Sequence, residues 1–191
     1  MSISSRTGSV TRVIHVANAA LALGLLIASI YVYPDLPDRI PLHFGVDGTP
    51  DRWGDRSLGS WLLLPLIGLG MHALMYGLSA FIVRKPKLVN MPDKKKLLEL
   101  PPHLQKWVLG GIAQMMYLSA LTLLVMFSVL QYAMWRTAHG IDAGNWVMGG
   151  VLFGLVAMPF ETIGFLVVTQ RRLEHAHRLW RTRGDAAPVP T

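Results

Sequence analysis

The sequence predicts an all-α membrane protein with four transmembrane helices, cytoplasmic N and C termini and a structured extracytoplasmic loop between helices 1 and 2. Three observations lead to this prediction. Hydrophobic residues make up 52 % of the 191 residues and charged residues only 15 %, against about a quarter in soluble domains. The apolar residues form four runs of 20 residues or more, each able to cross a hydrocarbon core of about 30 Å. The basic residues are concentrated in alternate connecting segments.

The ends of the predicted spans are set by residues that stop a helix or lie at the membrane surface. Helix 1 ends at Pro34 and helix 2 before Pro86, because proline lacks the N–H that a helix interior requires. Trp135 and Trp146 mark the interface at which helices 3 and 4 meet their short connection. The prediction is a single integral membrane domain over residues 1–191, with helices at about 11–33, 60–83, 108–135 and 146–170, an outer loop at 34–59, a basic inner loop at 84–107 and a cytoplasmic tail at 171–191.

The net charge of +7 is explained by membrane topology. With the N terminus inside, the predicted cytoplasmic segments hold 14 of the 18 lysines and arginines. The positive-inside rule therefore places both termini in the cytoplasm and the loop outside. The predicted partner is the lipid bilayer of a bacterial inner membrane, and no binding to nucleic acid is expected. Within the basic inner loop, residues 92–100 are predicted to form a short interfacial helix.

The sequence argues against an enzyme. It has no cysteine, which excludes disulfides, thiol nucleophiles and thiolate metal sites. It also lacks a phosphate-binding loop, a Gly-x-Ser-x-Gly motif and a His-Glu-x-x-His motif. We therefore expect a non-enzymatic protein without a cofactor.

The outer loop has the most specific composition of the chain, with five aspartates, a histidine and a tryptophan among its prolines and glycines. Pro34, Pro37 and Pro41 fix φ and push the preceding residues towards extended geometry. The first part of the loop is therefore predicted to be a stiff, non-helical arm. Asp47-Gly48 predicts a turn, because glycine readily supplies a positive φ.

Three roles are open for the polar residues of the loop. One is a ligand-binding groove, in which aspartates attract a cationic partner, formed by Arg39, His43, Phe44, Asp51 and Trp53. The second is a metal site, since imidazole and carboxylates suit zinc or manganese, formed by His43, Asp47, Asp51 and Asp55. That four-residue spacing brings side chains together only on a helix, which the glycines and Pro50 forbid, so no metal is expected. The third is structural, with His43 bonded to the loop backbone.

The order and spacing of the loop residues resemble a motif of a bacterial domain of unknown function found at the head of SdpI-type membrane proteins. The matching residues are Pro37, Ile40, Pro41, His43, Phe44, Gly48, Pro50, Asp51, Trp53 and Gly54. Many members have a lysine shortly after the Trp-Gly pair, where this chain has Asp55-Arg56. The resemblance covers about residues 13–83 and implies a role in the immunity of a producing cell against a secreted peptide toxin, with a coupled signalling function.

Two ionisable residues lie inside the predicted spans. Glu161 follows Pro159 in helix 4, and His72 lies about midway along helix 2. A charge at the bilayer centre costs at least about 2.5–3.5 kcal/mol, so such residues normally face protein or water. A His72–Glu161 pair would lower this cost and is one hypothesis. The other, which we favour, is a protonated, neutral and hydrogen-bonded Glu161, with His72 in an ordinary contact between helices.

These observations predict a non-enzymatic inner-membrane protein that presents its loop to a peptide or an envelope component, with toxin immunity or envelope sensing as its role. The alternative is a small transporter or channel, formed by a homo-oligomer, that uses Glu161 and His72. A single four-helix unit has few polar positions to line a hydrated path, which favours the first function.

Overall fold

The four apolar runs form four long helices in the computed structural model, which describes residues 3–184 and 187–190, with side chains from residue 9 onward. In this part of the chain, four helices are long and apolar enough to cross a membrane. Helices suit a bilayer because each backbone N–H and C=O is satisfied within the segment. The long helices are α1 (Ile3–Val32), α2 (Leu58–Arg84), α4 (Pro102–Ala138) and α5 (Gly144–Arg183), with the short α3 at Lys94–Glu99.

The helices run past several of the predicted span ends. α1 begins at Ile3 instead of near residue 11, and α5 continues to Arg183 instead of ending near residue 170. Hydropathy locates the part of a helix that suits lipid, whereas the backbone hydrogen bonds continue into polar sequence. α4 begins at Pro102, where a missing N–H costs nothing because the first turn has no acceptor for it. α3 confirms the short helix predicted within residues 92–100.

The loop between α1 and α2 contains a β-hairpin that the sequence analysis did not predict. A 3₁₀ turn at Tyr33–Asp35 follows α1, and strands β1 (Arg39–Phe44) and β2 (Pro50–Asp55) then pair antiparallel. The register is irregular between Pro41 and Phe44, which suits a strand containing a proline that cannot donate to the ladder. The loop is structured, as predicted, and residues 39–55 are non-helical and form a paired hairpin. The prediction of a non-helical arm is wrong at its start, where Tyr33–Asp35 form a 3₁₀ turn.

The chain forms two compact units whose segments alternate along the sequence. The terminal unit contains Leu74–Ser119 together with the chain up to His15 and from Pro159 onward, and the hairpin unit contains Val16–Ala73 and Ala120–Met158. The prediction of a single domain over residues 1–191 stays a prediction. In the terminal unit, Leu97 of α3 and Leu104 of α4 are fully buried in a cluster that also contains Leu173 of α5. The basic segment between α2 and α4, which contains α3, is thereby packed against α4 and α5.

Candidate functional site

The hairpin is fixed to the helices of its own unit by its apolar side chains. Ile40 is fully buried in a cluster with Trp61 of α2 and Met134 of α4. Phe44 is half-buried and packs against this cluster and against a second one that includes Val147 of α5. Burying apolar area at about 25 cal/mol per Å² makes this docking favourable. The structure therefore places Phe44, a predicted ligand residue, in the packed part of the hairpin, and its ligand role stays a prediction.

The other predicted ligand residues lie on the exposed part of the hairpin. His43 Nδ1 and Asp51 Oδ1 are 2.6 Å apart, and their side chains are 61 % and 51 % exposed. Trp53, opposite Pro41 in the ladder, is 38 % exposed, and Arg39, opposite Asp55, is exposed as well. A contact between two exposed polar side chains adds little stability, at most about 0–1 kcal/mol even when both are charged. These groups are thus accessible to a partner in solution.

The sequence left open a structural role in which His43 bonds to the loop backbone. In the structure His43 bonds instead to the side chain of Asp51. The carboxylate of Asp47 is also engaged, by the backbone N–H and the hydroxyl of Thr49. In the described part of the chain, no group of three or more His, Cys, Asp or Glu side chains is placed to hold a metal ion.

The tip of the hairpin is a tight turn held by backbone hydrogen bonds. Gly45 N–H donates to Thr49 O at 2.8 Å, and Gly48 N–H donates to Gly45 O at 3.0 Å. Gly48 has φ of +78°, and a Cβ there would lie 2.7 Å from the carbonyl oxygen of Gly144 at the start of α5. Both facts require glycine. The turn predicted at Asp47-Gly48 is therefore present and touches the first residue of α5.

Asp47 has a carboxyl pKa below its ordinary value, because the Thr49 backbone N–H and then the Thr49 hydroxyl donate to the charged form. The same two hydrogen bonds hold Thr49 against Asp47 across the turn. The tip is thus stabilised by an ionised carboxylate.

Arg56 holds the base of the loop together. Its Nη1 donates to the carbonyl oxygens of Pro34, at 3.0 Å, and of Leu36. Its backbone N–H donates to Asp38 O at 2.7 Å, and its guanidinium lies 5.7 Å from the centre of the Tyr33 ring. The planar, forked guanidinium suits such multiple bonding better than an ammonium does. In the sequence Arg56 differs from the family pattern, but its hydrogen bonds to the carbonyls of Pro34 and Leu36 were not predicted.

Trp61 connects the start of α2 to the end of α1. Its Nε1–H donates to the carbonyl oxygen of Ser29 at 2.7 Å. Ser29 lies in the last turn of α1, where carbonyls lack intrahelical donors. Ser57 and Ser60 cap α2 reciprocally, each hydroxyl accepting from the other residue's backbone N–H at 3.1–3.2 Å.

The two predicted intramembrane residues lie on α2 and α5, and both are half-buried. The Ser119 hydroxyl donates to Glu161 Oε2 at 2.6 Å. Pro159, two residues before Glu161 in α5, cannot donate to the helix ladder. The pairing of His72 with Glu161 stays a prediction.

Further polar contacts join the helices of the terminal unit. His15 Nδ1 and the Tyr76 hydroxyl are 2.9 Å apart, and the His15 ring is edge-on to Tyr117. Gln114 donates to the Thr11 hydroxyl at 2.8 Å and accepts from Arg172 at 2.9 Å. Such contacts between helices are worth about 0.6–2 kcal/mol in a membrane.

Comparison with known proteins agrees with the resemblance carried by the loop. Residues 20–69 match the family described as "Domain of unknown function (DUF1648)". An uncharacterized protein of Archaeoglobus fulgidus is 34 % identical over 84 residues, which covers 39 % of this chain and 45 % of that protein. This chain thus aligns with less than half of the relative's length. No solved structure matches. The resemblance to a domain of unknown function is confirmed over residues 20–69, and the relation to SdpI-type proteins stays a prediction.

Proposed function

We propose that this chain is a non-enzymatic, multi-pass protein of the bacterial inner membrane that binds a cationic peptide on the exposed part of its hairpin. In this proposal both termini are cytoplasmic and the hairpin faces outward. The distribution of lysine and arginine supports the orientation, since the loop keeps only three of the 18 basic residues.

The observation that carries the proposal is the division of the hairpin into a packed part and an exposed part. The fully buried Ile40 fixes the backbone of the hairpin. Trp53 and the His43–Asp51 pair are thereby held in position while their side chains stay exposed. A preorganised surface loses less conformational entropy when a ligand binds. An exposed tryptophan supplies apolar area and a π face for a lysine or arginine side chain.

The charge of the loop favours a cation. Five aspartates stand against three arginines in residues 34–59, and Arg56 donates to carbonyls of the loop itself. Asp38, Asp51 and Asp55 are exposed. Complementary charge raises the association rate and excludes partners of the same sign. Immunity against a cationic peptide toxin is the specific form of this function that the family resemblance favours, and sensing of an envelope component is its general form.

The direct test measures binding of a lysine-rich amphipathic peptide to the full chain in nanodiscs of zwitterionic lipid. The matched probe is the same peptide with each lysine replaced by glutamate. We expect only the cationic peptide to bind, and Trp53→Ala and Asp51→Asn to weaken it about five- to tenfold, while Glu161→Gln leaves it unchanged. Equal binding of both peptides, or insensitivity to Trp53→Ala, would contradict the proposal.

The second candidate is a small oligomeric transporter or channel, which the hydrogen bond between Ser119 and Glu161 beside Pro159 favours. An ionisable residue within a span is often part of an ion or proton path. This function predicts the reverse pattern in cells. Glu161→Gln would abolish the phenotype, whereas His43→Ala and Trp53→Ala would be tolerated.

A further inference from the structure

A cleft of about 320 Å³ lies in the hairpin unit, between the tip of the hairpin and the turn that joins α4 to α5. Its hairpin side is lined by Gly48, Thr49, Pro50 and Trp53, and its helix side by Thr137 and residues 140–144. The volume is at the lower end of the range of about 300–1,000 Å³ typical of small-molecule sites. The cleft therefore suits a single side chain or another small group.

Three acceptor oxygens converge beside this cleft, at the first residue of α5, Gly144. A Cβ at Gly144 would lie 3.6 Å from Asp142 Oδ1, 3.6 Å from Gly48 O and 3.9 Å from Asp47 O. These are ordinary van der Waals distances, so a methyl group would fit among the oxygens. Because Gly144 has no Cβ, the three oxygens can all face one common group.

These oxygens have capacity for further hydrogen bonds. In the part of the chain that the structure describes, the carbonyl oxygens of Asp47 and Gly48 accept no hydrogen bond, although Gly48 is buried. The carbonyl of a buried residue normally has a donor. Asp142 Oδ1 accepts the backbone N–H of Gly144 at 3.1 Å, and a carboxylate oxygen can accept a second donor. The arrangement thus suits a group that brings several donors.

The charge beside the cleft favours a cation. Among the described residues, the carboxylate of Asp142 has no ion-pair partner. Arg136 donates to the backbone oxygen of Asp142, from Nε at 3.3 Å and from Nη2 at 3.1 Å. The N-terminus of α5 carries a partial positive charge of about half an elementary charge, which the carboxylate offsets. Trp53 in the opposite wall supplies a π face that attracts a cation.

We propose that this cleft binds the primary ammonium group of a lysine side chain, which donates to Asp142 Oδ1 and to the carbonyl oxygens of Asp47 and Gly48. The stem of the lysine lies along Trp53. This inference rests on the proposed binding of a cationic peptide and names the residue of that peptide that is recognised. An ammonium has three rotatable donors, whereas a guanidinium holds its donors in a planar fork. Three oxygens around one point therefore select lysine over arginine.

The first test titrates the full chain, in nanodiscs of phosphatidylcholine, with butylammonium. The matched probe is butyltrimethylammonium, which has the same charge but no N–H donor. We expect the NMR signals of the Gly48 amide and the Trp53 indole to respond to butylammonium at an about five- to tenfold lower concentration, because only this probe forms hydrogen bonds. Equal responses to the two probes, or no response to either, would overturn the proposal. The test contains no peptide, so its result does not depend on the proposed function.

A variant that fills the space among the oxygens gives the second test. Gly144→Ala places a methyl group 3.6–3.9 Å from the three oxygens, and the response to butylammonium should be lost. Gly149→Ala is the control, because a Cβ there meets no atom within 4 Å and Gly149 is outside the cleft wall. An unchanged response in Gly144→Ala would overturn the proposal. Circular dichroism checks that the variants are folded, and the comparison of probes in the unaltered chain decides even where one is not.

The third test compares the lysine-rich peptide with the same peptide carrying arginine at each lysine. We expect the lysine peptide to bind the unaltered chain about five- to tenfold more tightly, the contribution of the additional hydrogen bonds, and both peptides to bind Gly144→Ala equally. Equal binding of the two cationic peptides to the unaltered chain, without binding of the glutamate peptide, would preserve the proposed function and overturn the selection of lysine.

Phosphatidylethanolamine also carries a primary ammonium, and Gly144 lies only two residues before Trp146, the predicted start of its span. The peptide titration is therefore repeated in nanodiscs that contain this lipid. We expect the affinity for the lysine peptide to be unchanged. A loss of affinity would assign the site to the lipid headgroup and overturn the assignment to lysine.

Discussion

The indole nitrogen of Trp61 donates a hydrogen bond to the carbonyl oxygen of Ser29, 32 residues earlier, at 2.7 Å. The bond joins the first turn of α2 to the last turn of α1, and Trp61 is fully buried where it forms. The side chain of Trp61 thus links the two helices that flank the hairpin. It also supplies part of the apolar surface on which the hairpin packs.

Trp61→Phe removes the donor and keeps an aromatic ring. We expect the free energy of unfolding to fall by about 1–3 kcal/mol, because the Ser29 carbonyl is left buried without its donor. Unfolding in mixed micelles of increasing SDS fraction measures the change. Trp146→Phe is the control, since Trp146 is exposed on α5 and its change should be small. Equal losses in the two variants would show that the bond contributes nothing.

Gly48→Ala is expected to destabilise the hairpin unit more than Gly140→Ala. Both glycines have positive φ, which costs a residue with a Cβ about 1–2 kcal/mol. A Cβ at Gly48 would also lie 2.7 Å from Gly144 O, whereas one at Gly140 meets no atom within 4 Å. The same unfolding assay measures both variants. A loss at Gly140 as large as that at Gly48 would contradict the close approach.

The hairpin tip should depend on pH through Asp47. Its folded pKa lies below the ordinary value of 3.8, because the Thr49 backbone N–H and hydroxyl donate to the carboxylate. The stabilisation is therefore fully present above about pH 3.8 and is lost as the pH falls through the lower folded pKa. The NMR shift of the Thr49 amide should report this step, and Asp47→Asn should abolish it. Persistence of the step in Asp47→Asn would assign it to another group.

The proposed orientation can be tested because the chain has no cysteine of its own. Val46→Cys places a thiol at a residue that is 97 % exposed in the hairpin turn, and we expect a membrane-impermeant maleimide to label it in intact cells. Leu88 is exposed in the basic segment between α2 and α4, and a thiol introduced by Leu88→Cys should be labelled only after the cells are permeabilised. The opposite pattern would place the hairpin in the cytoplasm.

The four long helices could be predicted from the sequence because each depends on a continuous apolar run. The hairpin could not, since its pairing and packing depend on distant residues. Ile40 is buried in a cluster that includes Met134 and Ala138, which lie far along the chain. The prolines correctly indicated an extended backbone from Arg39 onward, but not the 3₁₀ turn that contains Pro34, and they did not indicate that two strands would pair. The ligand role predicted for His43 and Asp51 stays a prediction. The contact between these two residues follows from the strand register and could not be inferred from their spacing.

The docking of Phe44 has a consequence for biosynthesis. Phe44 packs beside Ala143 and Val147, which are about a hundred residues further along the chain. At about 5–20 residues per second, a ribosome adds those residues roughly 5–20 s after Phe44. During that interval the nascent hairpin has no complete surface to pack on, so its final conformation is acquired only after the first turn of α5 is synthesised. A nascent chain halted before α5 should therefore expose the hairpin to protease, and a completed one should protect it.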